Sequence, residues 1–357
     1  MNRNRRFRNT AAVSVLAFPL LLSGCSLFGA GSSAQIDPPP ADVEAQMLES
    51  IGAEKTSSEQ TSFMTEEALS TVYLENEHGL LAPVALHLPE GDASLKLNRM
   101  LETIVQDGPY DSLIPAGFAG VLPAGTEVKA VTVKQDEKLA VVEFNGAFAD
   151  YAKEDERKIL EALTWTLTGT PGVEKVQLWV DGEKLNEMPV GGTPLDRPLS
   201  RSIGINLELR DGSSLSQSSP VVVYFSAATP DGVQYFVPVT RFVPAGNDPV
   251  QAALGELLQG PQRGDGLERV VTDNTKLESV EKSQDGVVTV SLQDDMFEAG
   301  EKLPAQMMQS LVLTVAQNAD DSKVRIWVNG QKEVIGMDNQ KYSEPVVRPE
   351  TINAIPL

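Results

Sequence analysis

Apolar positions along this chain follow two periods, and the same order of periods occurs twice. Near-continuous or alternating apolar runs predict strands at Val72 to Leu74 and, again, at Val221 to Phe225. Turn signals follow, Glu77-His78-Gly79 and Pro230-Asp231-Gly232, and then second extended runs, Leu80 to Leu88 and Tyr235 to Val243. The period then changes to that of a helix. Leu97, Met100, Leu101, Ile104 and Val105 share one helical face, as do Val250, Ala253, Leu254, Leu257 and Leu258. Before the second of these helices, Asp248-Pro249-Val250-Gln251 supplies an N-cap, a proline for the first turn and a capping-box glutamine. Gly260-Pro261 stops that helix, and Gly108-Pro109 stands in the matching place.

Hairpins follow, Glu127 to Lys134 with Leu139 to Phe144 and Lys276 to Glu281 with Val287 to Leu292, the latter turning at Gln284-Asp285-Gly286. Second amphipathic helices bury Ile159, Leu160, Leu163 and Leu167, or Met307, Met308, Leu311 and Val315. Each unit closes on a tryptophan strand, Val176 to Val180 before Asp181-Gly182 and Val324 to Val328 before Asn329-Gly330. The fold class expected is α+β, two tandem β-β-α-β-β-α-β domains with helices packed on a small sheet.

The duplication extends beyond pattern to letters. Trp179 and Trp327 lie 148 residues apart, the two Gly-Pro pairs 152, and Tyr73 and Tyr224 151. Pro198-x-x-Arg201-x-x-x-Ile205-Asn206 returns as Pro345-x-x-Arg348-x-x-x-Ile352-Asn353, at a constant 147. An offset that drifts by a few residues is what loop insertions produce, and a unit of this length is a domain rather than a solenoid repeat. The domain organisation expected is copy one at 68–206 and copy two at 219–353.

Ahead of the copies, Met1 to Arg8 is basic and Thr10 to Leu22 is apolar, too short for a membrane span. Small residues follow at Leu22-Ser23-Gly24-Cys25, so that residues 1–24 have the layout of a secretory signal. Residues 25–67 contain Gly29-Ala30-Gly31-Ser32-Ser33 and Pro38-Pro39-Pro40, with a short helical pattern from Ala41 to Ile51. This is a tether; as a flexible chain it would reach roughly 35–40 Å.

Charge narrows the function. The net charge is −21, and residues 1–24 hold four arginines and no acid, so the remainder is near −25. Such a chain is repelled by nucleic acid and by anionic lipid surfaces. With one cysteine, no internal disulfide forms.

Two resemblances sharpen this picture. The segment Leu22-Ser23-Gly24-Cys25 resembles a bacterial lipobox, which implies a diacylglycerol thioether on Cys25 and cleavage before it. Val223-Tyr224-Phe225, Pro238-Val239-Thr240-Arg241, Leu254 to Pro261 and Trp327 to Gly330, in that order, resemble the GerMN-domain family. Copy one departs from the pattern where Ala85-Leu86 replaces Thr-Arg. The resemblance covers nearly all the chain beyond Thr65. It implies a membrane-anchored lipoprotein of sporulation and spore germination. It also implies ring-building-motif-like domains that assemble with other envelope and sporulation proteins between mother cell and forespore, self-assembly included.

No catalytic constellation accompanies the repeat. His78 and His87 lie in copy one and have no counterparts in copy two, so structural roles are expected of them. Asp294-Asp295, Asp320-Asp321 and Glu154-Asp155-Glu156 lack calcium-loop spacing and are expected to be loop or helix-start charges. Trp179 and Trp327 are expected in the core. Arg201, Arg241 and Arg348 suit either partner carboxylates or ties within the chain. No metal, cofactor or nucleic acid is called for. The expectation is a non-enzymatic assembly protein whose sheet edges dock partners, the alternative being a lipoprotein that binds or remodels peptidoglycan.

Overall fold

A computed structural model describes residues 69–209, 217–262 and 264–356, all within one compact unit, Phe63–Leu357. The signal, the lipobox with Cys25 and the tether lie outside the described residues.

Copy one runs β1 (Leu69–Asn76), β2 (Leu81–His87), α1 (Ala93–Thr103), the short β3 (Phe118–Ala119), β4 (Val128–Lys134), β5 (Leu139–Phe144), α2 (Glu156–Leu167), β6 (Lys175–Val180) and the short β7 (Glu183–Lys184). A short strand, β8 (Leu207–Glu208), leads to copy two: β9 (Ser218–Ala228), β10 (Gln234–Pro244), α3 (Pro249–Gln259), β11 (Lys276–Lys282), β12 (Val287–Gln293), α4 (Ala305–Asn318) and β13 (Lys323–Val328). The expected element order is present in both copies, in an α+β fold.

The main strands of each copy fall into two sheets. β1 and β2 form an antiparallel hairpin, as do β9 and β10. Separately, β4-β5-β6 and β11-β12-β13 form sheets in which the first pair is antiparallel and the second parallel. The parallel pair follows from the helix between its strands: a crossover through α2 or α4 returns the chain in the direction it left. In α3 the Asp248 carboxylate accepts from the Gln251 N–H at 2.8 Å and Gly260, at φ 81°, ends the helix, as read, but the Gln251 side chain returns no bond to Asp248 and the capping box is not completed. In copy one the helix stops earlier, at Thr103. Gly108 lies outside it, folded so closely onto its end that a Cβ would stand 2.8 Å from the Glu102 carbonyl.

Two main cores result, with Leu74, Leu101, Phe144, Leu163 and Trp165 in one and Phe225, Leu254, Val290, Leu311 and Ile326 in the other. The first core also takes in Ala227, Tyr235 and Val237 of copy two, and Ile355 beyond it. The copies therefore share apolar interior, and neither is closed without the other.

Candidate interaction surfaces

The joint between the copies is built from two positions, Arg and Asn, of the repeated Pro-x-x-Arg-x-x-x-Ile-Asn segment in each copy. Asn206 accepts from the Leu81 N–H at 2.8 Å and donates to the carbonyls of Leu81 and Pro238, each at 2.7 Å. Asn353 accepts from the Phe236 N–H at 2.8 Å and donates to Phe236 at 2.8 Å and Pro83 at 2.7 Å. Leu81 corresponds to Phe236 and Pro83 to Pro238, so the pattern is two-fold: each copy's tail bonds its own second strand and the other's. Pro83 and Pro238 have no N–H, so β2 and β10 cannot form an ordinary ladder there, and the asparagine amides supply the missing donors. Both asparagines hold left-handed backbone, φ 47° and 59°, which asparagine tolerates better than most residues. The tails then continue across the joint. The segment after Asn206 pairs with β10, and the Ala85 N–H donates to the Asn353 carbonyl at 3.1 Å.

The paired arginines complete the joint. Arg201 lies 4.5 Å above the ring of Trp165, whose indole N–H donates to the Gly204 carbonyl at 2.8 Å. Arg348 lies 5.6 Å from the ring of Tyr224 and donates to its hydroxyl at 2.9 Å and to Gln317 at 2.6 Å. Gln317 also faces Arg201, at 3.5 Å. Burial pushes the Tyr73 phenol far above its ordinary value, and the neighbouring Tyr224 adds to this against the lowering pull of the two arginines. Gly204 holds left-handed backbone, φ 80°, and sits tightly against Thr240, since a Cβ would stand 3.1 Å from its hydroxyl oxygen.

Arg241 is the residue copy one lacks. It is 1% exposed, bonds Glu208 at 2.7 Å, and donates to the carbonyls of Glu256 at 2.8 Å and Gly260 at 2.9 Å. It thus caps the C-terminal end of α3 and holds the inter-copy strand to copy two, a tie within the chain rather than a contact for a partner. Leu86 stands in its place in copy one and is buried as hydrocarbon.

Most sheet edges are closed, which narrows the expected docking lines. The outer edge of β9 bonds side chains of α4: Tyr224 N–H to Thr314 at 3.1 Å, Val222 N–H to Asn318 at 3.1 Å, and Ser310 to the Tyr224 carbonyl at 2.6 Å. β1 repeats the first of these through Thr166 at 3.0 Å. β6 and β13 pair with returning segments at Leu199 and Val346. On β4, Ser94 and Asn98 donate to the Val131 and Val128 carbonyls. β11 is the longer edge with no such cover among the described residues, and it carries Lys276, Glu278, Glu281 and Lys282, which guard an edge against indiscriminate pairing.

Several expectations need correction. Trp179 and Trp327 are not core residues. They alternate with buried Val176, Leu178, Val324 and Ile326 and so point to the other face, half-buried, with Lys332 5.0 Å from the Trp327 ring. The fully buried tryptophan is Trp165 on α2. The apolar period did not mark it, since position 165 lies on the face of α2 opposite the stripe of Ile159, Leu160, Leu163 and Leu167, and that face is buried as well. Asp294 is not a solvated loop acid; it is fully buried and accepts from Thr272 and Thr275, each at 2.6 Å, and from the Met296 N–H at 3.0 Å. Glu156 is 3% exposed and accepts from Tyr151, Gly191 and Thr193. Each carboxylate pins a loop in which hydroxyl and amide donors converge. His78 is exposed in its turn and lies against Gly266 of copy two, and His87 is exposed at the end of β2. Among the described residues no group of three or more His, Cys, Asp or Glu is placed to hold a metal ion, and no helix is long and apolar enough to cross a membrane.

Comparison with known proteins agrees with this architecture. A family model described as Germane, sporulation and spore germination, matches residues 71–186 and 222–334. The spore germination protein GerM of Bacillus subtilis strain 168 is 38% identical over 354 residues, covering 95% of each chain. The solved tandem GerMN domains of that sporulation protein superpose with a TM-score of 0.74 at 37% identity, covering 80% of this chain and 99% of theirs.

Proposed function

Because this chain belongs to the Germane family of sporulation and spore germination proteins, we propose that it is a non-enzymatic assembly component of an envelope complex, held at the extracytoplasmic face of the cell membrane by a lipid on Cys25. The observation that carries the proposal is the joint at Asn206 and Asn353, which bonds the two copies into one compact unit. Copies bonded across such a joint present their remaining surfaces together, which lowers the ordering entropy that assembly costs. Copies acting as independent binders would instead gain from freedom in the link between them. Two acyl chains suffice for stable anchoring where one is marginal.

The test is made in sporulating cells. Crosslinking and pull-down of the wild-type chain should recover other envelope proteins, and a chain with Cys25→Ala should leave the tightly bound membrane fraction and lose them. Recovery of the same partners by the Cys25→Ala chain, still resistant to high salt, would remove the anchor from the proposal. Digestion of purified peptidoglycan by the protein would replace it with the wall-remodelling alternative.

A further inference from the structure

We propose that copy one carries a peptide-binding groove that takes an extended segment of another protein presenting an apolar side chain beside a carboxylate. The groove encloses about 520 Å³ between the start of α2 and the chain after β7. That volume lies within the range of sites that bind small ligands and peptide side chains. Leu160 and Ile203 give it an apolar wall, and Arg157, Arg197, Ser200 and Ser202 give it a polar one.

The polar wall decides the ligand. Arg157 is already engaged, through its Nε with Glu161 at 2.7 Å and through one terminal nitrogen with the Ile203 carbonyl at 2.6 Å. These bonds fix its position on the rim. Arg197 forms no ion pair or hydrogen bond with any described residue, and it is exposed beside the cavity. An unengaged guanidinium beside a groove matches a carboxylate in geometry as well as charge. In a chain of net charge −21 such a group is also a local exception to the repulsion that an acidic ligand meets elsewhere. Asp196, the acid next to it, restricts the match to a ligand whose carboxylate reaches the Arg197 side.

The backbone decides that the ligand is extended. Leu199 exchanges both of its hydrogen bonds with Val176 of β6, at 2.8 and 2.9 Å. In an antiparallel bridge of that kind, the neighbouring residues turn their main-chain groups to the opposite side. There the Ser200 N–H and the Pro198 carbonyl have no partner among the described residues, and both residues line the groove. An added strand satisfies such groups, while its alternate side chains enter the pocket. No aromatic side chain lines the cavity, so the stacking platform expected of a glycan site is missing.

Copy two lacks the polar residues of this wall. The residues corresponding to Arg197 and Ser200 there are Glu344 and Val347, and Arg157 is answered by Ala305. The proposal stands on copy one alone and does not depend on the assembly reading, since it is tested on purified protein.

The test is fluorescence anisotropy with the full chain in detergent and a labelled eight-residue peptide alternating leucine with aspartate. Saturable binding is expected, weakened about tenfold by Arg197→Glu and by asparagine in place of aspartate in the peptide, as loss of one charge-assisted pair predicts. Arg197→Lys should retain part of the affinity. Arg197 is exposed, so these variants should melt as wild type does. No saturable binding, or equal binding by Arg197→Glu, overturns the proposal. Equal or better binding of a peptidoglycan stem tetrapeptide in competition also overturns it, and assigns the groove to the cell wall.

Discussion

Asn206 and Asn353 make the same set of bonds with the two copies interchanged: each holds the second strand of its own copy by N–H and carbonyl, and a proline carbonyl of the other. Removing either amide leaves several half-buried backbone groups without partners, and an alanine there must adopt left-handed backbone. Asn206→Ala and Asn353→Ala should each cost about 2–4 kcal/mol, with the double variant not additive because both close one joint. Urea unfolding followed by circular dichroism checks this. Losses below about 0.5 kcal/mol would show that the joint is held by apolar contact alone.

The crossed tails also predict what happens when the chain is cut between copies. A specific protease site placed between Leu209 and Gln217 should, after cleavage, leave two fragments that co-elute on gel filtration. The β8 strand pairs with β10, and Ile355 belongs to the first core, so each fragment keeps a hold on the other. Separation into two folded monomers in native buffer would contradict the shared interior.

Arg241 satisfies two helix-end carbonyls and the Glu208 carboxylate from a position that is 1% exposed. Arg241→Leu should destabilise by about 3–5 kcal/mol, because Glu208 is left without its cation. Adding Glu208→Leu should recover part of that loss, because the carboxylate left without its cation is then removed. Thermal melts of the single and double variants decide it, and a double variant weaker than the single would refute the explanation.

Stability should fall in acid through Glu156. Burial raises its carboxyl pKa, but donors from Thr193, Gly191 and Tyr151 together outweigh burial and hold it below the ordinary 4.5. A depressed carboxylate stabilises the fold fully above the unfolded value and loses that contribution as pH falls through the folded value. Glu156→Gln should therefore be less stable than wild type at pH 7, with the gap closing as pH falls below the ordinary 4.5 and through the folded value. Calorimetry across that range measures it; a gap that stays constant with pH would assign the loss to packing.

The three tryptophans should divide by quenching. Trp179 and Trp327 are half-buried on the outer faces of β6 and β13, whereas Trp165 is 0% exposed. Iodide should quench the first two and leave a protected fraction that Trp165→Phe abolishes. A single accessible population would contradict these placements.

The sequence by itself determined what depends on neighbours along the chain. The order of strands and helices followed from apolar period, the start of α3 from Asp248-Pro249, its end from Gly260, and the pairing of one copy with the other from repeated letters such as Tyr73 and Tyr224. The family was legible for the same reason, because its marks are local words in a fixed order. The tertiary structure alone decided which of two faces a strand residue takes: Trp179 and Trp327 point outward because alternation fixes only that they oppose Leu178 and Ile326, not which side is core. It decided that Asp294 and Glu156 are buried, since the donors that make burial tolerable come from residues up to 37 positions away. It also decided the roles of Asn206 and Asn353, which follow copies one and two in sequence yet bond both. Their partners lie across the joint because two second strands interrupted by proline cannot pair with each other, and their carbonyls need donors from elsewhere.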